Sequence, residues 1–127
     1  MEFDSVIDTG NEREESPTGA QREINDTSGR FDLIPPTMMR RLAQHYQNGA
    51  NKYAERNWEK GLSVTRCIDS TLRHINKWRE GYREEDHLVA AIWNLTVIVH
   101  QEELLARGLC SDELFDHPTY LPQQPAP

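Results

Sequence analysis

From Leu33 to Ala106 the apolar residues return every three or four positions, a period that belongs to helices and not to strands. The segment Leu33-Ile34-Pro35-Pro36 reads as an extended lead-in, and Thr37, or the prolines just before it, can open a first helix carrying Met39, Leu42, Tyr46 and Ala50. Gly49 is placed to break or kink that helix, so a short second helix is expected over residues 50–60, ending at Gly61. A third is predicted over 63–80, with Ile68, Leu72, Ile75 and Trp78 on one stripe and Gly81 as its stop. A fourth is predicted over 84–106, with Glu84, Glu85 and Asp86 at its positive end and Gly108 closing it. Its run LVAAIWNLTVIV is apolar nearly all round and must be covered on most sides. A core of about 80 residues does not easily hide such a helix alone. The expectation is therefore an all-α bundle of about four helices, completed by a second copy of the chain as a homodimer or homotetramer. The alternative is a monomer with a greasy central helix.

The flanks differ in composition. Residues 1–28 hold eight acids against two arginines and few bulky apolar side chains, the signature of a disordered acidic tail. Residues 109–127 are proline-rich and read as an extended tail. The folded domain is expected over 29–108. The chain as a whole carries a net charge of −7, but residues 29–107 hold twelve basic against ten acidic side chains. That slight excess is too weak for a general nucleic-acid binder. The longest apolar run, Leu88 to Val99, is shorter than the roughly 18 residues of a membrane span. The start MEFDSVIDTG has neither a basic opening nor an apolar run, so no signal peptide is expected. Cys67 and Cys110 are too few for a disulfide scaffold or a zinc knuckle, and they read as reduced thiols of a cytoplasmic protein. No phosphate-binding glycine loop, G-x-S-x-G, C-x-x-C or H-E-x-x-H occurs.

Several polar residues could carry chemistry. Lys52, Arg56 and Lys60 recur every four residues, which on a helix would stack three positive charges on one face. Like charges so placed repel by a few tenths of a kcal/mol per pair, so either Glu55 and Glu59 compensate them or the face meets an anion. Glu55 and Glu59 themselves form a pair able to hold a divalent ion, or simply decorate a solvated surface. On the third helix, Asp69 and Arg73 are one turn apart and can pair, while His74 beside the apolar stripe is either a hydrogen-bonded core residue or a ligand. On the fourth, His87, Ala91 and Asn94 share a face. A buried amide such as Asn94 needs partners, either in a structural network or around a ligand or metal-bound water. Asp86 is a dipole-favoured acid at a helix start or a metal ligand.

Four strings, GRFDLIPP, NGANKYAERNWEKG, LRHINKW and EEDHLVAAIWNL followed by HQEE, occur in that order over residues 29–103. Together they resemble the dATP/dGTP diphosphohydrolase (MazZ-type) domain family, found largely in phage proteins and related to the all-α MazG-like nucleoside triphosphate pyrophosphatases. The resemblance implies an oligomeric, metal-dependent helical bundle in the host cytoplasm that cleaves purine deoxynucleoside triphosphates to monophosphate and pyrophosphate. MazG-like enzymes carry E-x-x-E and E-x-x-D on successive helices. Here the third helix offers only Asp69 with His74, the fourth offers Glu85 or Asp86 with His87, and Ala90, not an acid, stands one turn after Asp86. The expectation that follows is Mg²⁺ or Mn²⁺ held by Glu59 and Asp86, with Glu55 or Asp69. His74 or His87 would serve as base or water-orienting group, with Asn94 helping. Lys52, Arg56, Lys60 and Arg73 would grip the triphosphate, and Trp58 or Tyr53 would stack on the base or else pack in the core. The competing expectations are a non-catalytic nucleotide-binding oligomer, a sponge or sensor, and a small phage adaptor.

Overall fold

The structure, a computed structural model, describes residues 10–24 and 27–121. Contacts divide the chain into one unit ending at Pro35 and another beginning at Pro36. In the first, β1 (Arg13–Glu15) pairs antiparallel with β2 (Gln21–Glu23), setting Arg13 opposite Glu23 and Glu14 opposite Arg22. Opposite charges facing each other across the ladder favour this register. Ser16 Oγ accepts from the Ala20 amide at 3.1 Å and steadies the turn. Part of the segment expected to be disordered is thus a hairpin; residues 1–9 and 25–26 of that expectation lie outside the described residues. A 3-10 turn, Phe31–Leu33, follows the hairpin.

The second unit holds α1 (Pro36–Lys52), α2 (Val64–Glu80) and α3 (His87–Ala106), with α3 packed against both of the others. Pro36 is the first residue of α1, where its missing N–H removes no helical bond. The helix runs straight through Gly49, contrary to expectation. A mid-helix glycine costs only about 1 kcal/mol relative to alanine, too little to end a helix its neighbours continue. The predicted helix over 50–60 is not one. After Lys52 the chain turns, Arg56 adopts the left-handed conformation (φ 57°), and Asn57–Lys60 form a 3-10 turn. Among the described residues, three α-helices stand where about four were expected.

Both ends of α2 follow local chemistry. Ser63 Oγ accepts from the Arg66 amide at 3.2 Å, and Gly81 takes the left-handed cap (φ 101°) with the Tyr82 amide returning to Lys77 O at 3.0 Å. Its buried face is Val64, Cys67 and Thr71, whereas Leu72, Ile75 and Trp78 of the predicted stripe stand exposed. The predicted fourth helix begins later than expected, since Glu84, Glu85 and Asp86 lie before α3 and Asp86 caps it. α3 buries His87, Val89, Ala90, Ala91, Asn94, Val97 and Gln101. By length and composition alone this helix could cross a membrane, and a third of its most apolar stretch is buried within the chain. Its three buried polar side chains are bonded to protein groups, as suits a core helix.

The carboxyl end also departs from expectation. Instead of leaving as an extended tail at 109, the chain makes a 3-10 turn at Asp112–Leu114. Asp116 then accepts from Ser63 Oγ at 2.5 Å and from the Thr65 amide at 2.9 Å. An acid at a helix start satisfies donors that have no partner within the helix. Gly61 takes φ 103°, a conformation that side chains disfavour, and Leu114 packs on it so closely that a Cβ there would lie 2.7 Å from its Cδ1 and displace that methyl. Residues 122–127 lie outside the described residues.

Candidate functional site

The short connection from Gly81 to Asp86 brings the last turns of α2 against the first turn of α3. There His74 Nδ1 and His87 Nδ1 lie 2.9 Å apart, and His87 Nε2 lies 2.9 Å from a Glu84 carboxylate oxygen. A carboxylate only accepts, so His87 donates from Nε2 and its Nδ1 must accept from His74. Glu85 Oε1 is 3.6 Å from His74 Nδ1. Among the described residues, His74, Glu85 and His87 are the one group whose ligand atoms all lie close enough together, within 4.8 Å, to hold a metal ion. His87 is fully buried and His74 mostly so. Burial is the chief cause that holds the His74 imidazole below its ordinary pKa, with help from His87, Arg73 and Lys77 and opposition from Glu85.

His74 lines a cleft of about 1150 Å³ between α1 and the α2–α3 pair, larger than the roughly 300–1,000 Å³ of typical small-molecule sites. The cleft gathers most of the residues singled out in the sequence. Lys52, Glu55, Arg56, Trp58, Glu59, Asp86 and Asn94 all line it, and His87 sits behind His74. Asn94 is buried and donates to Ala90 O at 2.9 Å.

Other residues singled out in the sequence lie elsewhere or are already engaged. Asp69 and Arg73 pair with each other at 2.6 Å on the exposed side of α2 and do not line the cleft. Lys60 lines a smaller cavity beside His100 and Cys110. Lys52, Arg56 and Lys60 share no helical face, because Lys52 ends α1 and Arg56 lies in the turn beyond it. Asp86 faces the cleft but is engaged: Arg41 holds both of its oxygens, at 2.6 and 2.8 Å, and one also caps α3 at the Val89 amide. The Arg41 guanidinium is the main reason the Asp86 carboxyl sits below the usual carboxylate range. Arg56 reaches Glu59 at 2.6 Å, and Glu55 faces the same cleft.

Glu84 and Arg41 are not singled out by the sequence as site residues, and Glu85 enters there only as an alternative to Asp86 beside His87. The run Glu84-Glu85-Asp86-His87 reads as a helix start, which it is. Its second role appears only once His74 has been brought beside it.

Fold and cleft together define a small, mostly helical protein with an acid–imidazole site flanked by cations. The sequence pattern of the family described as dATP/dGTP diphosphohydrolase, N-terminal, matches residues 18–107, and the chain belongs to that family. The motif resemblance and this match agree. No curated protein and no solved structure matches the chain.

Proposed function

We propose that the chain hydrolyses purine deoxynucleoside triphosphates, dATP and dGTP, to the monophosphate and pyrophosphate in this cleft. The observation that carries the reading is the sharing of one cleft by His74, Glu85, Glu55 and Glu59 with the cations Arg41, Lys52 and Arg56, in a member of a diphosphohydrolase family. His74, Glu85 and His87 are the residues that would hold a divalent metal. The Glu84–His87 bond supports this, because a ligating imidazole ordinarily gives its other N–H to a carboxylate. Two imidazoles and one carboxylate suit Mn²⁺ better than Mg²⁺, which favours oxygen donors and retained water. When bound, such an ion neutralises phosphate charge and lowers the pKa of a water molecule.

The chain's own groups do the rest. Lys52 and Arg56 face the polyphosphate and favour charge building on the leaving pyrophosphate. Glu55, on the same wall as these cations, is the carboxylate that takes a proton from water, with Glu59 held beside it by Arg56. This reading moves the metal from Glu59 and Asp86 to the histidine pair, and the proton acceptor from the histidines to Glu55. We also propose that a second copy of the chain covers α3. Leu95 and Val99 stand exposed there, in one stripe with half-buried Leu88 and Ile92.

The test is to incubate the purified chain with each deoxynucleoside triphosphate and Mn²⁺ or Mg²⁺, and to follow pyrophosphate and monophosphate together. Release of both from dATP and dGTP, abolished by EDTA, is the expected result. No pyrophosphate from any nucleotide with either ion overturns the reading. A raised melting temperature with the nucleotide recovered intact would put a binding protein in its place.

A further inference from the structure

Helix α1 is seventeen residues long and buries none of them, although Tyr46 and His45 on it are half covered. Its aromatic side chains His45 and Tyr46 reach across to Trp93 on α3. They line the cleft and meet the rings of other elements at steep angles. His45 and Trp93 have centroids 5.5 Å apart at 48°, Tyr46 and Trp93 6.2 Å apart at 64°, and Tyr46 and Trp58 5.8 Å apart at 66°. Rings packed edge to face cover one another only in part. Tyr46 is further fixed by its hydroxyl, which donates to Thr96 Oγ1 at 3.3 Å. The result is a held aromatic wall that opens on the same cleft as the cations and the histidine pair.

Beside this wall, α1 presents amides. Gln44 and Asn48 are one turn apart, bonded to each other at 2.9 Å, and both line the cleft. A single bond between two amides uses one donor and one acceptor site and leaves each with further capacity. An apolar helix or an acyl chain would have no use for amides there. A nucleobase would, since it has a π-face to stack and a polar edge to be read.

We infer that the wall formed by Trp93, Tyr46 and His45 is the base subsite, with a purine ring stacked on it and its edge turned toward Gln44 and Asn48. This deepens the hydrolase reading by naming the residues of the cleft that take the base, beside the cations Lys52 and Arg56 and the His74–Glu85 group that meet the phosphates. It takes the base away from Tyr53 and leaves Trp58 as the edge of the wall.

Binding, rather than turnover, tests it. Tryptophan fluorescence of the full chain is titrated with dGMP, with dCMP and with inorganic tripolyphosphate, in EDTA so that nothing is hydrolysed. Trp78 lies outside the cleft, and W78F removes its background emission. The expected result is quenching by dGMP at lower concentration than by dCMP. Trp93→Leu should weaken dGMP by about tenfold or more, the range stacking on one aromatic side chain gives. Tripolyphosphate affinity, followed by competition with a fluorescent nucleotide, should stay within about twofold, because no stacked base contributes to it. Equal dGMP affinity in wild type and Trp93→Leu overturns the inference, as does equal loss of tripolyphosphate. Should Trp93→Leu not fold, Gln44→Ala with Asn48→Ala is read instead: loss of the preference for dGMP over dCMP supports the inference, and its retention overturns it. Hydrolysis without any effect of these variants sinks the base subsite alone. Stacking without hydrolysis sinks the catalytic reading alone.

Discussion

His74 Nδ1 stands 2.9 Å from His87 Nδ1, a single hydrogen bond that ties the end of α2 to the beginning of α3. Because His87 gives its one ring proton, on Nε2, to Glu84 and accepts from His74 at Nδ1, both ring nitrogens are engaged and its burial is fully matched. Truncating it leaves a cavity and deprives the mostly buried His74 of its partner, while the half-exposed Glu84 turns to water.

His87→Ala is therefore expected to destabilise the chain by about 2–4 kcal/mol, as a lost buried side chain plus an unmet polar group would. His74→Ala, which removes a less buried ring, should cost about half of that. Urea denaturation followed by circular dichroism measures both. A His87→Ala protein within about 0.5 kcal/mol of wild type would show that the pair holds nothing together.

Acidification should weaken the metal-free fold from near neutrality downward. Burial holds both His74 and His45 below the ordinary histidine value, against the pull of Glu85 on each. Between the folded value and the unfolded one of about 6.5, the unfolded chain binds more protons, so stability rises with pH in that interval and falls as pH drops through it. Melting temperatures in EDTA should be level above about pH 7.5 and decline below about 6.5. His45→Phe, which removes one of the two groups, should flatten the slope. An unchanged slope would place the proton uptake elsewhere.

What the sequence discloses and what it hides follow from range. The ends of α2 were legible because Ser63 and Gly81 act on backbone groups three or four residues away. The family motifs were legible for the same reason, as short strings. Arg56 hid its left-handed backbone, since nothing in the residue type demands it, and a continuous helix was the natural assumption for Lys52, Arg56 and Lys60. That assumption put three cations on one face, whereas the folded chain sends Lys60 to a different cavity. Glu85 reads as a dipole-favoured acid or a companion of His87, and its place beside His74 follows only from the packing of α2 on α3. Asp116 is the extreme case: its partners Ser63 and Thr65 are more than fifty residues upstream, and no local pattern announces the pairing.

That strap offers its own test. The Asp116 carboxyl is lowered to about 2, chiefly by the Ser63 hydroxyl and then by the Thr65 amide. A depressed acid contributes stability above its unfolded value and loses that contribution as pH falls through its folded one. Asp116→Asn should thus lower the melting temperature at neutral pH and narrow its gap to wild type as pH falls from about 4 toward 2. Equal melting temperatures at neutral pH would mean that the carboxyl end does not brace α2. Gln101→Ala should be the costlier change, about 1–3 kcal/mol, because the buried amide holds both the N–H and the C=O of Leu62, at 2.7 and 2.8 Å.

The exposed stripe of α3 makes the last prediction. Leu95 is 48% and Val99 65% exposed, four residues apart on a helix whose other face is the core of the unit. Large apolar side chains in a row on the surface are normally covered by something. A second copy fits best, because the same stripe meets itself across a two-fold axis without needing any other partner. Each such side chain contributes about 1.5–3 kcal/mol when fully buried. Leu95→Asp with Val99→Asp should therefore raise the dissociation constant of the assembly by at least about a hundredfold, and turn an oligomer into a monomer at micromolar concentration. Light scattering behind size exclusion reads the mass, and far-ultraviolet circular dichroism checks that the helices persist. A wild-type chain that is monomeric at every concentration removes the second copy. Flotation of that monomer with phospholipid vesicles, lost in the double variant, would assign the stripe to a membrane surface, a use that the length and composition of α3 also permit.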